Sequence, residues 1–129
     1  ASERIVSGSN RLSFDTGTLP AALVARPEGD IDMGVTPALQ ADLIAAVRAP
    51  SASCLVVDLG GVDYVDSSGI ELLFRLHGAL AADGVELIVV APPGSGAARL
   101  LGLVALGDIG QVRPSLAEAL DTCGDREAH

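Results

Sequence analysis

The chain has 129 residues, is 49% hydrophobic and carries a formal net charge of −9. It contains no lysine, and all 8 basic residues are arginine, which excludes a basic stripe for a phosphate backbone, a P-loop and Schiff-base chemistry. Aromatic residues are only 2% of the chain (Phe14, Tyr64 and Phe74), which excludes a stacking platform for single-stranded nucleic acid. Only 19% of the residues are charged and the mean hydropathy is +0.44. A single domain with a core of Leu, Val, Ile and Ala follows, and the acidic balance suits a partner with a positive or mixed surface.

Residues 1–11 are mostly polar and read as a flexible N-terminus. Leu12 and Phe14 alternate with polar neighbours up to Asp15, a short strand pattern. Thr16 to Pro20 reads as a turn into a second strand, Ala22 to Arg26, giving an antiparallel hairpin. Thr36 can cap a helix whose first residue is Pro37, with Leu39, Leu43, Ala46 and Val47 on one stripe and Pro50 as the stop. Cys54 to Val57 is a continuous apolar run, as in an inner strand covered on both faces. Gly60-Gly61 makes a turn, and the segment through Asp66 leads to a second helix that ends before Asp83-Gly84. Val85 to Ala91 is another buried strand. A third helix spans about Ala97 to Ala105, and Ile109 to Val112 is a short edge strand. Ser115 and Glu118 form a capping box for a last helix through Leu120, and residues 123–129 read as a flexible C-terminus. Strands alternating with helices predict an α/β domain over 12–122, with a parallel core and an antiparallel start.

Two cysteines, Cys54 in an apolar run and Cys123 near the C-terminus, do not form a disulfide framework. They read as a small buried hydrophobe and an incidental thiol. No signal peptide and no apolar run near 18 residues is present, which suits a cytoplasmic protein.

The richest stretch is Val56-Val57-Asp58-Leu59-Gly60-Gly61-Val62-Asp63-Tyr64-Val65-Asp66-Ser67-Ser68-Gly69-Ile70. It places Asp66, Ser67 and Ser68 beyond the carboxyl end of a strand, where the ligand and partner sites of α/β sheets gather. Ser68 and Glu71 fit a capping box, which would occupy the Ser68 hydroxyl and leave Ser67 the freer. Capping alone would also account for all three residues. In the helix that follows, Leu72, Leu73, Leu76 and Leu80 form the core stripe, and Glu71 with Arg75 is a surface pair. Ile70, Phe74 and His77 fall on the flank, with Ile70 and Phe74 as a contact surface and His77 as a solvated residue. Asp30-Ile31-Asp32 resembles a phosphotransfer acid pair, and Gly94-Ser95-Gly96 a dinucleotide loop. The first lacks a lysine, and the second has Arg99 in place of its last glycine. No nucleophile–base pair and no metal-ligand spacing is present, so neither an enzyme, a cofactor nor a metal is expected.

Asp66-Ser67-Ser68-Gly69, set between VVDLGGVDYV and IELLFRLHGAL, resembles the core motif of STAS domains. The resemblance is greatest to anti-sigma factor antagonists, the anti-anti-sigma factors of bacterial partner-switching systems. Gly29-Asp30-Ile31-Asp32, Gly84 to Val90 and Pro114 to Leu120 resemble further family segments in the right order. Two positions depart from the family pattern: Val35 stands where Thr or Ser is usual, and Asp30 where Glu is usual. The resemblance implies a single domain with a mixed sheet of four or five strands and helices mainly on one face. It implies that Ser67 accepts phosphate from a cognate anti-sigma factor, itself a serine kinase. The unphosphorylated form then binds that kinase and frees a stress-response sigma factor, and a serine phosphatase resets the switch. Partner contacts are expected at Asp30, Asp32, Asp66, Ser67, Ser68, Gly69, Ile70 and Phe74, with no direct contact to nucleic acid or membrane. The alternatives are a regulatory STAS domain of an anion transporter and a component of a larger stress-sensing complex.

Overall fold

The computed structural model describes residues 2–7, 10–15, 22–48, 52–102 and 111–127. The elements run β1 (Ser2–Ser7), β2 (Asn10–Asp15), β3 (Ala22–Pro27), β4 (Gly29–Ile31), α1 (Thr36–Arg48), β5 (Cys54–Asp58), β6 (Val62–Val65) and α2 (Ser67–Ala82). They continue with β7 (Glu86–Val90), α3 (Gly96–Leu101), β8 (Gln111–Arg113) and α4 (Leu116–Glu127). Among the described residues, six strands form one mixed sheet in the order β1-β2-β3-β5-β7-β8. The first three are antiparallel and the last four parallel. Helical crossovers force the parallel half, because a chain leaving one end of a strand must return to the other end.

Side-chain alternation divides the core between the two faces of the sheet. Leu23, Ala25, Leu55, Val57, Leu87 and Val89 point toward α1, α2 and α3. Their neighbours Val24, Val56, Ile88 and Val90 point the other way, where α4 alone of the helices among the described residues lies. Helices therefore sit mainly on one face, as expected. The leucine stripe of α2 is buried as its spacing predicts, with Leu72, Leu73, Leu76 and Leu80 all at 4% exposure or less. In α1, Leu39, Leu43 and Val47 do the same. No helix among the described residues is long and apolar enough to cross a membrane.

Four sequence expectations are corrected. The segment 1–11, read as flexible, contains β1 and the start of β2, paired antiparallel from Ser2↔Asp15 to Ser7↔Asn10. Backbone pairing holds this polar edge, and Ile5 packs against the core, so β1 adds an edge strand to the expected mixed sheet. Two further strands, β4 and β6, form a small parallel sheet in segments to which the sequence assigned no strand. At the other end, α4 continues through Glu127, past Leu120, and Cys123 within it is fully buried. Finally, Cys54 and Cys123 are disulfide-bonded, with Cα atoms 6.1 Å apart and 69 residues between them in sequence. Their proximity comes from α4 lying across β5, which local patterning does not reveal. The expected turn at Thr16 to Pro20 and the expected strand start at Ile109 lie outside the described residues.

Candidate functional site

β4 and β6 position the site. Ile31 and Val65 are register partners, and Ile31 O accepts a hydrogen bond from Asp66 N at 3.2 Å. The two strand ends are thus joined, and Asp32 and Asp66 emerge side by side. Ile31 is buried and Val65 packs on the core. By alternation, their neighbours Asp30 and Tyr64 face outward together. Asp32 also shapes the entry to α1. Its Oδ1 accepts from Gly34 N at 2.9 Å, and its carbonyl accepts from Val35 N and Thr36 N at 3.0 and 3.1 Å. Helix α1 consequently begins at Thr36 itself, one residue before the expected start, with Thr36 buried rather than serving as an exposed cap. Val35 lies in the core at 4% exposure, which accounts for an apolar residue where the family pattern has a polar one.

Asp66, not Ser68, caps α2. Its backbone is extended, and its Oδ1 accepts from Ser68 N at 2.9 Å and Gly69 N at 3.4 Å. The Ser68 hydroxyl donates to the same carboxylate oxygen. Aspartate one residue before the helix reaches these orphan N–H groups more directly than a serine already inside the first turn. The expected Ser68–Glu71 capping box does not form; Glu71 instead meets Arg75 at 3.2 Å. At Ser115 the serine half of the expected box forms: Ser115 Oγ accepts from Glu118 N at 3.3 Å and donates to Glu118 Oε2 at 3.2 Å.

The consequence for Ser67 is the one expected, for a different reason. Ser68 is half-buried with its hydroxyl engaged. Ser67 is exposed at the first helical position, and its side chain has no hydrogen-bond partner among the described residues. Phe74 lies seven residues along α2, about 10 Å from Ser67 and on nearly the same side of the helix. It is half-buried and packs partly on the core.

Gly69 and Ile70 do not form part of the open surface. Ile70 is 6% exposed and sits in the core. Gly69 is buried where a Cβ would stand 2.5 Å from Val65 Cγ1 and 3.2 Å from Ile31 Cγ2. This glycine lets the first turn of α2 rest directly on β4 and β6. His77, expected to be solvated, is half-buried, with Nδ1 buried and unpartnered among the described residues. The sequence reading missed Met33 and Tyr64, which at 76% and 56% exposure are the exposed large hydrophobic residues of this rim. The alternation of Tyr64 with the inward-facing Val65 was the available signal.

The hydrogen bond from the Ser68 hydroxyl is the chief reason the Asp66 carboxyl lies below its ordinary value of 3.8; burial opposes it, and the Ser68 and Gly69 N–H groups add to it. A lowered carboxyl pKa stabilises the fold fully above the ordinary value, and that stability is lost as pH falls through the folded value. Asp66→Ala is therefore expected to cost about 0.5–2 kcal/mol at neutral pH. The cost should shrink in acid, below the ordinary carboxyl value. Urea unfolding of both proteins at about pH 7 and about pH 2.5 measures this. A gap that stays constant between the two conditions would show that the carboxylate is not the cap.

Comparison with known proteins adds a family model, three solved structures and one curated relative. The family model for the STAS domain matches residues 13–119. An anti-sigma factor antagonist from Mycobacterium paratuberculosis is 25% identical, with a TM-score of 0.70 over 97% of this chain and 96% of that one. The Bacillus anti-sigma factor antagonist SpoIIAA has the same fold at 16% identity in its unphosphorylated form, with a TM-score of 0.60 over 89% of this chain and 97% of that one. Its phosphorylated form is similar at 19% identity and the same TM-score, over 84% and 97% of the two chains. Among curated proteins, Sulfate transporter 2.1 of Arabidopsis thaliana is 37% identical over 70 residues, 54% of this chain. The match spans only 10% of the transporter's length.

Proposed function

The chain belongs to the STAS domain family, and from that premise we propose that it is an anti-sigma factor antagonist whose switch is phosphorylation of Ser67. The observation that carries this reading is the contrast between the two serines: Ser67 is exposed and unpartnered among the described residues, whereas Ser68 is tied to Asp66. The unphosphorylated protein binds a cognate anti-sigma factor that is also a serine kinase, and this releases a sigma factor. Phosphate on Ser67 ends the interaction, and a serine phosphatase restores it. The role is binding rather than catalysis and is exercised in the cytoplasm. Partner contacts come from Asp30, Asp32, Asp66, Ser67 and Ser68 at the rim and from Phe74 along α2.

Physical chemistry supports a phosphate switch at this position. A phosphoserine adds about −1.5 to −2 charge and three acceptor oxygens. At the first turn of α2 it meets the positive end of the helix dipole, so the helix tolerates it. The rim is already acidic, and the added charge repels a partner that fits the unmodified surface. Incubation with the cognate kinase and ATP, followed by mass spectrometry, is expected to place one phosphate on Ser67. Phosphate on Ser68 alone would overturn the assignment.

The 37% identity to a segment of a sulfate transporter favours a second reading, a regulatory domain of an anion transporter. On that reading, the isolated chain would neither bind nor be modified by a serine kinase.

A further inference from the structure

We propose that Cys54 and Cys123 form a reversible redox clamp, a dithiol–disulfide pair that fixes or frees α4 on the second face of the sheet. The clamp does not depend on the signalling role proposed above. Cys54 begins β5, whereas Ser67 follows β6 beyond the opposite end of that strand. The two also lie on different faces. Cys54 shares its cluster with α4, while the residues around the switch belong to the cluster under α1 and α2.

The clamp matters because α4 is otherwise lightly held. It covers Val24, Val56 and Ile88, yet its fully buried described side chains are Ala119 and Cys123, both small. Leu116 and Leu120 are only half-buried, and Glu118 and Asp121 face solvent. The Arg113 Nε to Thr122 Oγ1 hydrogen bond at 2.9 Å adds one polar tie. A helix whose buried stripe is this thin gains little from apolar burial. Cys123 lies one turn beyond Ala119 on that stripe, and Cys54 is beneath it with its Cα 6.1 Å away, within the span a disulfide bridges. The cross-link closes a long loop, for which the loss of unfolded-chain entropy is large.

The chemistry is thiol–disulfide exchange with a small-molecule disulfide. One protein thiolate attacks that disulfide, forms a mixed disulfide and expels a thiolate. The second protein thiolate displaces the other half. Two protein thiols are oxidised, losing two electrons and two protons, and one small disulfide is reduced to two thiols. Both cysteines are fully buried, so exchange proceeds through local opening of α4. In the reduced state that opening is frequent and exposes the apolar face beneath, whereas in the oxidised state it is suppressed.

The test uses the full chain equilibrated with graded mixtures of reduced and oxidised glutathione. After acid quenching and alkylation under denaturing conditions, mass spectrometry reads the cross-linked fraction. This fraction is expected to titrate across the series. The oxidised form should melt on the order of 10 °C higher. Its α4 amides should exchange hydrogen about tenfold or more slowly than in the reduced form, with α2 unchanged. Cys123→Ser should resemble the reduced protein at every ratio, and the wild-type series alone remains decisive if this variant does not fold. A cross-link complete at every ratio would be a fixed structural bond and would overturn the proposal. So would one that never forms, or equal α4 protection in the two states.

Discussion

Ser67→Asp is expected to lower affinity for the anti-sigma factor by roughly 100-fold, about 3 kcal/mol, while leaving the fold unchanged. Ser67 occupies the first position of α2, where a carboxylate meets the positive end of the helix dipole and gains about 0.3–1 kcal/mol. The helix therefore accepts the charge. The partner surface does not, because it must give up water against an added negative group with no counterion. The neighbouring Asp66 carboxyl is held low by its own hydrogen bonds and stays ionised, so it cannot relieve the new charge by taking up a proton near neutral pH. Raising salt should restore part of the binding, since the repulsion is screened at the exposed rim. Ser67→Ala should bind normally and resist phosphorylation. Wild-type affinity of Ser67→Asp in low salt, with an intact circular dichroism spectrum, would sink the electrostatic switch.

Gly69→Ala is expected to destabilise the protein by about 1–3 kcal/mol, although alanine is the better helix former. The added methyl would stand 2.5 Å from Val65 Cγ1 and 3.2 Å from Ile31 Cγ2. Val65 is β-branched and stiff, so relief requires α2 to lift off β4 and β6. That movement displaces the cap at Asp66 and the orientation of Ser67. Val65→Ala removes the nearer obstacle. The double variant Gly69→Ala/Val65→Ala should therefore lose less stability than the sum of the two single changes. Strict additivity, or a Gly69→Ala protein as stable as wild type, would show that the close approach has no energetic weight.

The glycine of the Asp-Ser-Ser-Gly segment shows how sequence and structure divide the explanation. The motif itself is visible in the chain, and Gly69 could be taken as part of a contact surface. Its contacts with Ile31, 38 residues earlier in the numbering, arise only once β4 and β6 lie side by side. Ile70 presents the same case: on a helical wheel it falls on the flank, but the neighbouring strands widen the buried face of α2 to include it. The cap moved for a local reason. Asp66 and Ser68 are both good capping residues, and the extended backbone of Asp66 at the end of β6 decides between them.

Periodicity alone determined α1, α2, β5 and β7, because a 3.6-residue stripe of leucines or a continuous apolar run has few other ways to bury itself. The same patterning determined the mixed α/β class and placed Ser67 at a helix start beyond a strand's end. Tertiary structure alone decided the polar edge strand β1, the β4–β6 pair and the Cys54–Cys123 bond. Each depends on backbone pairing or proximity between segments remote in sequence, and such contacts leave no period in the residues that make them.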